Sequence, residues 1–162
     1  MAIEMKKFTI SLKIIACALL FAVFLSFSID GPTEEEAVYI QQKLDDHYSI
    51  EAKEGLVKKY ELHVTNTGFC RYKCFFNNGK IEYFSFNFLK YKDIDYAGTS
   101  QSGTLILRTK GDDVIVQTYN DSKGEDIDSM ATFMAILLKN IQPEELNQLM
   151  EKFQQMCLKL RK

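Results

Sequence analysis

Between Tyr60 and Leu89 apolar side chains recur at every second residue, a spacing that a strand can gather on one face and a helix cannot. Tyr60, Leu62 and Val64 alternate with Glu61, His63 and Thr65. Cys70, Tyr72, Cys74 and Phe76 alternate with Arg71, Lys73 and Phe75, and Phe84, Phe86 and Phe88 share one face of a third run, Lys80–Leu89. Asn66-Thr67-Gly68 separates the first two runs. Asn78-Gly79 separates the last two and predicts a two-residue type I′ turn, which needs positive φ at both central positions. Half of the chain's 12 Phe and 8 Tyr fall between Phe69 and Tyr96, so this antiparallel unit is the expected centre of the core.

The flanks read differently. Thr33-Glu34-Glu35-Glu36 has the form of a capping box, Pro32 precedes it, and Ala37, Ile40, Leu44 and then His47 or Tyr48 follow at helical spacing. The spacing predicts a helix over Thr33–Tyr48, with Ser49–Lys59 as a polar connector. Beyond the aromatic unit, short strands are expected at Asp93–Ala97, Thr104–Thr109, Val114–Tyr119 and Met130–Leu138, the last ending near Asn140. An acidic loop, Asn120–Asp128, lies among them. Pro143 opens a terminal helix whose apolar stripe is Leu146, Leu149, Met150, Phe153, Cys157 and Leu160. That stripe is expected to fold back on the aromatic face, which otherwise lacks a cover.

The fold class is therefore α+β: an N-terminal helix, about seven antiparallel strands in a bent sheet or partial barrel, and a long C-terminal helix. This order, over roughly Tyr60–Arg161, resembles the pleckstrin-homology-like superfold. The resemblance implies a terminal helix plugging one open end of the sheet, while fold analogy carries little about function. The alternative is an open, cystatin-like meander wrapped on the first helix. Residues 30–59 are expected as helix and connector, and residues 60–162 as the β domain with its helix.

Residues 1–29 read as a targeting segment. Lys6 and Lys7 precede an uncharged run, Ile14–Ile29, which as a helix spans roughly 24 Å against a hydrocarbon core of about 30 Å. Ser26-Phe27-Ser28 offers small residues at a signal peptidase's two positions, and Asp30-Gly31-Pro32 breaks the helix beyond. The readings are a cleaved signal peptide or an uncleaved membrane anchor, either of which puts the domain outside the cytoplasm. Ile14-Ile15-Ala16-Cys17 is no lipoprotein box, because the apolar run follows the cysteine.

Charge excludes a nucleic-acid partner: the formal net charge is −2, and removing Lys6, Lys7 and Lys13 makes the remainder more acidic. Catalysis finds no nominated residue. His47 and His63 read as solvated histidines, and there is no serine elbow, phosphate-cradling glycine loop or Walker-type lysine. Cys70 and Cys74 sit four apart on one strand, so their Cα atoms lie about 13 Å apart, too far for a disulfide or a shared zinc. With Cys157 they read as small buried hydrophobes. Asp121, Glu125, Asp126 and Asp128 belong to a solvated acidic loop. Asn120-x-Ser122-x-Gly124 echoes a calcium loop but has Ala131 where the bidentate glutamate belongs. Asn120-Asp121-Ser122 is also a glycosylation sequon.

No metal or cofactor is expected. Lys58, Lys59, Arg71, Lys73, Lys90 and Lys92 are expected as a mixed, solvated basic face beside the aromatic hairpin. Tyr72, Phe84, Phe86, Phe88 and Phe153 are the candidate interaction or apolar-lining residues. The functional expectation is an exported or membrane-tethered non-enzymatic binding domain with a protein or an apolar small molecule as partner, and membrane contact through the N-terminal segment if it is uncleaved. The alternatives are a carrier of an apolar ligand and a small extracytoplasmic hydrolase. Intact-mass analysis of protein from the native host should show a chain beginning near Ile29. Full-length protein in the membrane would point to the anchor instead, and full-length soluble cytoplasmic protein would refute export.

Overall fold

The three alternating runs form an antiparallel meander, β1 (Val57–Val64), β2 (Phe69–Phe76) and β3 (Ile81–Asn87). The computed structural model describes residues 33–50, 56–122 and 124–162, so the expected leader or anchor, residues 1–29, lies outside the described residues. Both turns of the meander are built alike. The Thr65 N–H donates to the Phe69 carbonyl and the Gly68 N–H to the Thr65 carbonyl, each at 2.9 Å. The Phe76 N–H donates to the Lys80 carbonyl at 2.9 Å, and the Gly79 N–H to the Phe76 carbonyl at 3.1 Å. Each is a three-residue loop ending on a glycine of positive φ, +88° at Gly68 and +90° at Gly79. The expected type I′ turn at Asn78-Gly79 is thus corrected, because only the glycine takes positive φ and Asn77 enters the loop.

Five further strands follow: β4 (Tyr91–Gly98), β5 (Ser102–Thr109), β6 (Val114–Tyr119), β7 (Ile127–Ala131) and β8 (Phe133–Lys139). The strands form two open antiparallel sheets, ordered β1-β2-β3-β6-β7 and β4-β5-β8, and the sheet does not close into a barrel. The count is eight against about seven because the expected strand Met130–Leu138 is two. It breaks at Thr132, and the end of the expected acidic loop pairs with β6 as β7.

The two sheets are halves of one bent meander. β3 continues into β4 through a 3₁₀ turn, Phe88–Lys90, β5 into β6, and β7 into β8. β4 pairs with β5 where β3 pairs with β6, and β5 with β8 where β6 pairs with β7. Hydrogen bonds continue at the corner: the Lys110 N–H donates to the Lys90 carbonyl and the Thr109 N–H to the Thr132 carbonyl, both at 2.9 Å.

The concave side holds the core. Leu62, Cys70, Tyr72, Cys74, Phe86 and Val114 come from one sheet, and Ile94, Leu105, Leu107, Met134, Ile136 and Leu138 from the other. Two helices complete it: α1 (Glu34–His47) through Ala37, Ile40 and Leu44, and α2 (Pro143–Leu160) through Leu149, Phe153, Met156 and Cys157. The terminal stripe is therefore folded back on its own domain. The capping box expected at Thr33 is not formed. The Thr33 hydroxyl donates to the Asn66 carbonyl, while the buried Glu36 carboxylate accepts from Lys159 Nζ at 2.8 and 2.9 Å, tying α1 to α2. Burial of a carboxylate makes its cation partner more valuable than a distant capping bond.

Gly79 has open space where a Cβ would stand, whereas a Cβ on Gly68 would come within 2.6 Å of Leu160 Cδ1. Ala at either position should cost about 1–2 kcal/mol from left-handed strain, with a further loss at Gly68 that Leu160→Ala abolishes. Denaturant midpoints of the single and double variants check this.

Candidate functional site

Of the five aromatic candidates, Tyr72, Phe86, Phe88 and Phe153 are buried and Phe84 is half-buried. They are packed ring to ring, at 5.3 Å between the Phe86 and Phe88 centroids, 5.4 Å between Phe88 and Phe153, and 5.9 Å between Tyr72 and Phe84. The Tyr48 and Tyr72 hydroxyls share a 2.6 Å hydrogen bond inside this core, and the Tyr48 ring stacks on Tyr60 at 3.7 Å. Burial pushes both phenols of the pair up, Tyr72 the more strongly.

The residue types that carry catalysis are used in the framework. His47, expected to be solvated, is buried between the Lys139 carbonyl, 3.1 Å from its Nδ1, and Glu145, 3.7 Å from its Nε2. The tertiary fold rather than the helix pattern places it there, by setting the end of α1 between the end of β8 and α2. His63 is exposed. All three described cysteines are buried, and none is in a disulfide. Burial pushes the Cys70 thiol up to about 12 and the Cys157 thiol up to about 11, which keeps both protonated and unreactive at neutral pH. No group of His, Cys, Asp or Glu among the described residues is arranged to hold a metal ion.

The convex face of the five-stranded sheet is different. Register aligns its outward side chains in rows across the strands. One row is Lys59–Phe75–Ile81–Tyr119, the next Glu61–Lys73–Tyr83–Gln117–Asp128, and the third His63–Arg71–Ser85–Ile115–Met130. Phe69 lies beyond the third row. The Arg71 guanidinium stands 5.1 Å from the Phe69 ring centre and Lys73 Nζ 4.9 Å from that of Phe75. The buried apolar residues of both helices pack on the opposite, concave face.

Aromatic and aliphatic side chains therefore occupy the face that alternation assigns to solvent. Ile115 and Met130, directly paired across β6 and β7, are 40% and 52% exposed, and Phe133 just beyond the bend is 51% exposed. Three of the six expected basic residues, Lys59, Arg71 and Lys73, share this face. Lys90 and Lys92 lie elsewhere, 3.3 Å from Asp113 and 3.9 Å from Asp93. Sequence reasoning passed over Phe69, Phe75, Tyr83, Ile115 and Met130. The available signal was the failure of the polar half of the alternation to be polar.

Such a face can bind by apolar contact and by cation–aromatic contact. No family model matches this chain, and no curated protein or solved structure matches it. Tyr48→Phe and Tyr72→Phe should each cost about 1 kcal/mol by removing the hydrogen bond between them, with Cys74 Sγ left beside the remaining hydroxyl, and the double variant should lose less than the sum. Denaturant melts of the cycle measure the coupling.

Proposed function

We propose that this chain is an exported or membrane-tethered, non-enzymatic binding domain whose contact surface is the convex face of its five-stranded sheet. The observation that carries the reading is the set of large apolar side chains on that face: Phe69, Phe75, Ile81, Tyr83, Ile115, Tyr119 and Met130, with Arg71 and Lys73 laid over rings. Apolar side chains gathered on one side of a folded domain mark interaction sites, because keeping them wet forfeits the burial that a partner restores. Export rests on the lysine-flanked apolar run before the domain. The dense ring packing around Tyr72, Phe86, Phe88 and Phe153 supports a protein partner over an apolar cargo.

Tyr83→Glu with Ile115→Glu tests the reading. Both side chains face outward, so the melt should shift by no more than about 1 kcal/mol, while the partner cross-linked to the wild-type chain in its native envelope should be lost. Retention of that partner by the variant would refute the surface. A small-molecule mass released by denaturing extraction would favour the carrier, and turnover in a substrate panel the hydrolase.

A further inference from the structure

We propose that the outer edge of β7 docks an extended peptide in which apolar and basic residues alternate, bound as a sixth strand of the five-stranded sheet. This rests on the reading of the chain as a binding domain and names the chemical class of its partner.

Four strand edges end the two sheets, and three receive at least one hydrogen bond from elsewhere in the chain. At β1, Gln41 acts as a surrogate peptide group: its Nε2 donates to the Leu62 carbonyl at 2.8 Å and its Oε1 accepts from the Val64 N–H at 2.7 Å. At β8, the residues after α1 add a short bridge, with the Ser49 N–H donating to the Leu137 carbonyl at 2.9 Å and Tyr48 opposite Leu138. At β4, Arg161 Nη2 donates to the Tyr91 carbonyl at 3.2 Å. β7 pairs with β6 on one side, and no described residue bonds to its other side. Its first four residues, Ile127–Met130, are all exposed. An edge that receives none of the bonds given to its counterparts keeps its outward backbone donors and acceptors for an added strand.

Charge and pleat select the occupant. On the convex side β7 presents Asp128 and then Met130, with Asp126 just before the strand, and on the concave side it presents Ile127, which is 54% exposed. An antiparallel strand places side chains directly opposite these. It therefore wants lysine or arginine facing Asp126 and Asp128 and apolar residues facing Ile127. The basic residues of an alternating strand then fall on the convex side, where the aliphatic stem of one lies over Met130, and the apolar ones on the concave side. None of the described ion pairs uses Glu125, Asp126 or Asp128. A second copy of the chain fits poorly, since two-fold pairing about β7 would crowd the acidic residues of both copies together. A bound strand would also extend the rows of the convex face beyond Asp128 and Met130, so edge and face act as one surface.

Amide hydrogen exchange of the full chain in detergent micelles, with a short alternating Val-Lys peptide, tests this. The peptide should slow exchange within Ile127–Ala131 and leave β1, β4 and β8 unchanged. Added salt should weaken the effect, and a Val-Glu peptide should have none. Asp128→Lys with Met130→Lys should weaken binding on the order of tenfold with the rest of the exchange map intact, and Asp126→Lys with Asp128→Lys should accept the Val-Glu peptide instead. Absence of β7 protection, or equal protection by both peptides on the wild type, would overturn the proposal. So would protection that grows with protein concentration alone, in favour of a second copy. Loss of the cross-linked partner on Tyr83→Glu with Ile115→Glu, while β7 amides stay unprotected, would sink the edge proposal and leave the binding-domain reading standing. The converse result would sink the convex face and leave the edge.

Discussion

Phe88 sits at the corner where β3 turns into β4, and its ring meets Phe153 of α2 at 5.4 Å and Phe86 of β3 at 5.3 Å. A flat meander would leave these rings on an open face. Bending at Phe88–Lys90, Lys110–Asp113 and Thr132 folds both halves of the sheet around them, and α2 closes the remaining side. The helix arrangement follows from that contact. α2 must cross the concave face at Phe88, which sets it against α1, and the buried Glu36 carboxylate then finds Lys159. Burial of the Phe86, Phe88 and Phe153 rings stabilises the bend, at about 25 cal/mol for each Å² of apolar surface removed from water.

Filling the concave side decides what the convex side is for. The buried apolar residues of both helices face inward, with Val38 and Leu158 left exposed, and among the described residues Arg71, Lys73 and Lys59 lie over the rings that point outward from β2. The sheet's edges divide in the same manner. A side chain of α1, one at the end of α2 and the residues after α1 reach β1, the first residue of β4 and β8 respectively, whereas no described residue bonds to the outer edge of β7. The guard at β1 is instructive: a single glutamine reproduces the hydrogen bonds of a neighbouring strand, which shows how little is needed to blunt an edge.

Titratable groups are bound into the same framework. Lys43 holds the Glu145 carboxyl below the usual carboxylate range, and Glu145 in turn reaches His47. Because that carboxyl is lowered, its contribution to stability is present above the ordinary glutamate pKa and is lost as pH falls through and below it. Arg108 similarly links Asp93 and Asp95 across β4 and β5 and holds Asp95 down. These pairs orient helices and strands against one another.

Local pattern was sufficient for much of this. Period-two alternation at Tyr60–Phe88 and the helical spacing of Ala37–Leu44 and Leu149–Cys157 identify strands, helices and the inward set, because each depends only on which residues share a face. Three features depend on partners distant in sequence and were not legible. Thr33 and Glu36 have the spacing of a capping box, yet Asn66 and Lys159 compete for them once α1 docks. Asn78-Gly79 has the composition of a two-residue turn, and the register of β2 with β3 draws Asn77 into a longer one. Met130–Leu138 reads as one apolar strand, and the corner at Thr132 divides it. The candidate surface belongs to the same class. Phe75, Tyr83, Ile115 and Met130 lie far apart in the sequence and become neighbours through strand register, and their exposure follows from where the helices lie.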